Sequence, residues 1–186
     1  MKIRKLYKSF IAIILLTCAL AIFYYNNSTI IFSSNLQKSI NTFWRKEVSI
    51  KEVQDFEAYG KKFKLILSTP INNEKYKYLN CYIEKMNGLY YKSYQASEQG
   101  GSNASFNFST IIINDLNKEN YLTIVYGYNE SLEIVNYEIK VGENKNNFAS
   151  NIANKKYFID AVKGKFQDIV KVTDKYANNK TNVFND

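Results

Sequence analysis

Three spacings of apolar residues follow one another along the chain. From Phe10 to Tyr25 there is no charged side chain and no polar stripe, the pattern of a helix that is greasy on every side. At the helical rise this run is about 24 Å long. Leu6 and Tyr7, with Lys8 snorkelling, extend it to about 30 Å, the thickness of a hydrocarbon core. Next, Leu36, Ile40, Phe43 and Trp44 recur at i, i+4, i+7 and i+8 behind the capping stretch Ser33-Ser34-Asn35. That spacing predicts a short amphipathic helix over 35–46. It is expected to cap one end of the following domain, although Trp44 with Lys38, Arg45 and Lys46 would also suit a membrane surface.

From about Ile50 the period becomes two. Phe63, Leu65 and Leu67 alternate with Lys62 and Lys64 up to the turn cluster Thr69–Asn73. Tyr76–Glu84 puts Leu79, Cys81 and Ile83 on one face and Tyr78, Asn80, Tyr82 and Glu84 on the other. Met86-Asn87-Gly88 supplies a hairpin turn, and Leu89–Ala96 returns. Further strands are predicted over Ser105–Ile113, Tyr121–Tyr128, Leu132–Val141, Lys156–Val162 and Ile169–Thr173, with Asn114–Asn117 as a turn. Gly127-Tyr128-Asn129-Glu130-Ser131 is expected to join Tyr121–Tyr128 and Leu132–Val141 as an antiparallel pair. The fold class implied is mainly β: an antiparallel sandwich or curled sheet of about 7–8 strands. No helical pattern separates the strands, so a parallel nucleotide-binding sheet is not expected. The organisation is a basic tail (1–8), an apolar signal-anchor (9–25), a connector with a short helix (26–49), a β domain (50–176) and a polar tail (177–186).

Charge orients the molecule. Lys2, Arg4, Lys5 and Lys8 precede the apolar run, and no further Lys or Arg occurs until Lys38. The positive-inside bias keeps the amino terminus in the cytoplasm and exports the remainder of the chain, giving a single-pass membrane protein. Two alternatives stay open. Ala19-Leu20-Ala21 has the form of a signal-peptidase site behind the h-region Phe10–Cys18, which would make the domain secreted. Lipidation at Cys18, after Leu15-Leu16-Thr17, is the other. Half of the formal charge of +8 sits in the first eight residues. Downstream lysines are interspersed with Asn and Glu, so no nucleic-acid partner is expected. Attraction to an anionic wall polymer remains as a bulk-charge expectation.

Composition removes whole chemistries. The chain has no His and two Cys, which excludes Ser-His-Asp and Cys-His catalysis and zinc sites of the usual kind. Cys81 alternates with Leu79 and Ile83 and reads as a core residue. Asp115, Asn117 and Glu119 start like a calcium loop, but Asn120 stands where Gly is needed and Tyr126 where the closing Glu belongs. Glu133, Glu138, Asp160, Asp168 and Asp174 nominate no particular catalytic pair. Gly100-Gly101-Ser102 lacks phosphate-loop spacing. No enzyme activity, cofactor or metal is therefore expected. The tyrosines stand out: Tyr76, Tyr78, Tyr82, Tyr90, Tyr91 and Tyr94 fall in one predicted hairpin. Packing is the expected use of most of them. Tyr78, Tyr82, Tyr90 and Tyr94 are the candidate binding residues, suited to a glycan, a peptide or a partner protein.

The segment Tyr121–Val141, followed by Lys156-Tyr-Phe-Ile-Asp160 and preceded by Gly100-Gly101-Ser102 before a strand, resembles a group of small Gram-positive proteins. Those carry an amino-terminal signal or anchor and a β-rich exported domain. The resemblance covers roughly 56–175 and implies an extracytoplasmic β domain, with no catalytic residues to carry over. The expected function is a non-catalytic binding or interaction module at the cell envelope, with an envelope protein as partner. Glycan or wall-polymer binding through the Tyr-rich hairpin is the alternative, and a His-free hydrolase a more distant one.

Overall fold

The computed structural model describes residues 2–26, 30–31, 35–74, 76–85, 90–99, 106–115, 118–129, 133–142 and 146–181. Helix α1 (Lys2–Asn26) leads through the two-residue strand β1 (Ile30–Ile31) to α2 (Leu36–Trp44). Ten strands follow: β2 (Val48–Ala58), β3 (Lys61–Pro70), β4 (Lys77–Lys85), β5 (Tyr90–Gln99), β6 (Phe106–Asp115), β7 (Lys118–Tyr128), β8 (Ile134–Val141), β9 (Asn146–Asn151), β10 (Tyr157–Lys163) and β11 (Phe166–Asp174).

They form three sheets, and the strand pairings are antiparallel throughout. The first sheet has the order β1-β5-β4-β3-β2, the second β10-β7-β6 and the third β11-β8-β9. Two apolar layers hold the sheets together. Phe63, Leu65, Leu67, Leu79 and Cys81 from the first sheet pack on Leu122, Ile124, Tyr126 and Ile159 from the second. The second sheet's other face, with Val125 and Phe158, packs on Tyr137, Ile139, Val141, Ile169 and Val172 of the third. A third cluster seats Ile40, Leu36 and Trp44 of α2 on Ile66, Tyr78 and Tyr82. The order through the molecule is helix, sheet, sheet, sheet.

The mainly β, antiparallel expectation holds, with three corrections. The strands outnumber the expected 7–8, because β1 is two residues long, β9 is mostly polar, and a bulge at Ile50–Glu52 splits the alternation of β2 into Val48/Ile50 and Phe56/Ala58. The layers number three sheets rather than two, because β7 is covered on both faces: Leu122 to Tyr126 are all buried. The expected β7–β8 pair also does not form. β7 lies between β10 and β6, whereas β8 lies between β11 and β9. Asn129 directs the crossing, its amide donating to Ile134 O at 2.8 Å while its Oδ1 accepts from Ile134 N. That closed side-chain ring turns the chain out of one sheet into the next instead of folding it back.

Helix α2 falls inside its predicted span, with Asn35 at the N-cap and Arg45 ending it in the left-handed region at φ 54. Strand β5 runs on to Gln99, past its predicted end at Ala96. The hairpin tip Met86-Asn87-Gly88 and the loop Gly100-Gly101-Ser102 lie outside the described residues. Among the described residues, no helix is long and apolar enough to cross a membrane. The part of α1 whose side chains are described, 9–23, is exposed all along and spans about 22 Å.

Candidate functional site

Strand β4 presents its two faces as the alternation dictates, and each face has a cover. Tyr78 and Tyr82 point away from the inter-sheet core and lie under α2, with 1% and 0% of their surface accessible. Trp44 stacks on Tyr78 at 4.4 Å between ring centroids and donates its indole N–H to Asn80 Oδ1 at 2.8 Å. Lys46 closes the rim, donating to Tyr78 Oη at 2.5 Å. Burial raises the Tyr82 hydroxyl well above the ordinary tyrosine range. Of the four nominated tyrosines, then, two form the floor beneath a helix. Tyr90 is half-buried at the start of β5, and Tyr94 is 38% exposed.

Tyr94 belongs to an open concavity at the surface. A cleft of about 660 Å³ is lined by Lys61, Lys62, Glu84, Lys85, Lys92 and Tyr94, with Gly60, Ile83 and Ser93 completing it. It forms where the β2–β3 turn meets the ends of β4 and β5. Parity explains its chemistry. Period two puts Lys61 on the same face as Phe63 and Leu65, and Lys85 on the same face as Cys81 and Ile83. Lys92 is opposite Ile83 across β4–β5, in the same register. At one end of the first sheet the core-facing positions therefore change from apolar to cationic, and the apolar layer gives way to a basic cleft. Four lysines face one glutamate there. Lys62 pairs with Glu84 at 3.8 Å, while neither Lys85 nor Lys92 has an acid partner among the described residues. Tyr94 sets the inner wall, its ring edge-on to Phe63 at 6.4 Å. Sequence reasoning passed over these lysines. The signal was available, since Lys61 and Lys85 continue the parity of core residues.

Two other polar clusters serve the fold. Glu74 accepts from Lys51 at 2.7 Å and Lys156 at 3.3 Å. Those bonds, with the Tyr157 hydroxyl nearby, hold its carboxyl down to about 2, the Lys51 bond contributing most. Lys156 lies over the Tyr128 ring and Lys51 over the Tyr157 ring, and the two rings are 5.0 Å apart. Between the second and third sheets, Tyr137 and Ser150 both donate to Asp160 Oδ2, at 2.7 and 2.8 Å.

Three of the remaining candidate acids are occupied locally, Asp168 by Ile169 N. Asp174 caps the chain at Tyr176 N and Asn178 N, and Glu138 accepts from Asn147. Asp115 and Glu119 belong to the β6–β7 hairpin, where Asp115 is opposite Lys118 and Asn114 opposite Glu119; Asn117 lies outside the described residues. Among the described residues no group of acids and thiols is arranged to hold a metal. Cys81 is buried in the inter-sheet core, and burial pushes its thiol up to about 12. Set against known proteins, the chain matches no protein-family model, no curated protein and no solved structure.

Proposed function

We propose that this chain is a membrane-tethered envelope protein whose β domain acts outside the cytoplasm as a non-catalytic binding module. The observation that carries the reading is α1. From Ser9 to Phe23 its side chains are apolar but for Ser9 and Thr17, and all are exposed. An apolar helix whose described side chains are all exposed is stable where hydrocarbon covers it. Leu6 and Tyr7 on one side and Tyr24 and Tyr25 on the other extend the apolar stretch to the length of a bilayer core. The four flanking cations favour a cytoplasmic amino terminus. A glycan or anionic wall polymer at Tyr90 and Tyr94 is the second reading, supported by the exposure of Tyr94 in the cleft.

Cell fractionation with alkaline washing, followed by mass measurement of the mature chain, tests the anchor. The full-length mass is expected in the membrane pellet, with a carboxy-terminal tag accessible from outside. A soluble chain beginning after Ala21 would replace the anchor with a cleaved signal peptide, and a cytosolic tag would end the reading.

A further inference from the structure

We infer that the basic cleft between the β2–β3 turn and the ends of β4 and β5 holds the phosphate-bearing headgroup of an anionic lipid, drawn from the leaflet next to which α1 ends. The inference rests on the reading of α1 as an anchor and adds a ligand to it. Its chemistry comes from the lining: Lys61, Lys62, Lys85 and Lys92 against Glu84, with Ser93 offering a hydroxyl and Tyr94 an exposed ring. Lys85 and Lys92 are both exposed and have no acid partner among the described residues. They are available to a phosphate ester, which ammonium groups bind as point charges.

Position selects the source. Lys92 is the β-ladder partner of Ile30, and Ile30 is four residues beyond the end of α1 at Asn26. Four residues reach at most about 14 Å. With one ladder spacing of about 5 Å added, the wall of the cleft is thus tied to within about 20 Å of the helix end, and lipids of that leaflet are present near it at high effective concentration. A basic group this close to an anionic surface contributes about 1 kcal/mol, or roughly fivefold in affinity. The plain alternative is that core-facing lysines at a sheet end only deter edge-to-edge pairing. That role would not depend on lipid charge.

The test uses the full chain in nanodiscs of phosphatidylcholine with increasing fractions of phosphatidylglycerol. An amine-reactive label is applied and its rate at each lysine is read by mass spectrometry. Lys85 and Lys92 are expected to become protected as phosphatidylglycerol rises, while Lys155 and Lys171 on distant exposed positions are not. In Lys92→Gln, half-protection of Lys85 should need roughly fivefold more anionic lipid, and Lys92→Arg should restore it. Equal labelling in neutral and anionic discs would overturn the proposal, as would protection shared by Lys155 and Lys171. Linear polyphosphate added to neutral discs forms a separate arm. If it protects Lys85 and Lys92 where phosphatidylglycerol does not, the ligand is a soluble phosphate chain and the lipid assignment fails. Should the chain not enter neutral discs, the anchor is refuted independently; labelling with phosphatidylglycerol vesicles added to the soluble chain then decides the cleft.

Discussion

Cys81, Tyr137 and Glu74 each show how burial or partnership fixes what one side chain can do. Cys81 is packed between Leu79 and Ile83 in the first inter-sheet layer, and its thiol is pushed up to about 12. In a Cys18→Ser background, a thiol reagent at neutral pH is expected to modify Cys81 only as fast as the domain unfolds. Fast modification of the folded protein would reopen nucleophilic chemistry. Tyr137→Phe removes one of the two donors on Asp160 Oδ2 while keeping the ring. A hydrogen bond to a charged group is worth about 1.5–3 kcal/mol, and that loss should appear in urea unfolding.

Glu74 gives the pH dependence. Its folded value of about 2 lies below the ordinary 4.5, so folding favours the ionised form. The contribution is complete above about pH 4.5 and is lost as pH falls towards 2. Its side chain is 36% exposed, and screening by water keeps the effect to about 1 kcal/mol or less. The stability gap between wild type and Glu74→Gln should close across that window. At this scale the sequence was readable as far as parity reaches. The two faces of β4 were evident from alternation, but alternation does not say what lies over a face. Tyr78 and Tyr82 point away from the core as expected and still meet a cover, supplied by a helix more than thirty residues earlier.

Elements with mixed composition were the ones the pattern hid. β2 is an edge strand whose apolar alternation is split by the bulge at Ile50–Glu52. β9 reads Asn-Asn-Phe-Ala-Ser-Asn, with Phe148 its one large apolar side chain, and takes its register from its pairing with β8. Both are defined by a partner strand, which short-range periodicity does not contain. α2 was visible because a helix carries its amphipathic stripe within itself. Ile40, fully buried on the first sheet, is the centre of that stripe, and Ile40→Ala should cost about 2–5 kcal/mol in chemical denaturation.

The turn between β10 and β11 is equally demanding. Gly164 has φ +122, and a Cβ there would be 2.9 Å from Gly142 N. The same turn donates Gly164 N to Tyr121 O at 2.7 Å and accepts Thr123 Oγ1 at Gly164 O. Gly164→Ala must move backbone on both sides, and a loss of about 1–3 kcal/mol is expected. A neutral result would mean that the turn is looser than its contacts indicate.

Across the whole molecule, fold class followed from repeated period-two runs, but topology did not. Strands that are neighbours in sequence, β7 and β8, diverge into different sheets, and β7 pairs instead with β10. A strand buried on both faces, as β7 is from Leu122 to Tyr126, looks in sequence much like one buried on a single face. The number of layers is therefore lost at the level of pattern. The basic cleft was hidden for a related reason, because it is assembled from the ends of three strands whose lysines are far apart in the chain.

The union of α1 with the domain through β1 has a mechanical consequence. Among the described residues Ile30 and Ile31 alone bridge that linker to β5, and α2 follows them, packed over Ile66, Tyr78 and Tyr82 of the first sheet. A pull along α1 loads these two rungs first. They would unzip one after the other and then lift α2 off Tyr78 and Tyr82, before strain reached the stacked sheets. Under tension on α1 the molecule gives way at a fuse beside that helix, and the aromatic floor emerges while the rest stays folded.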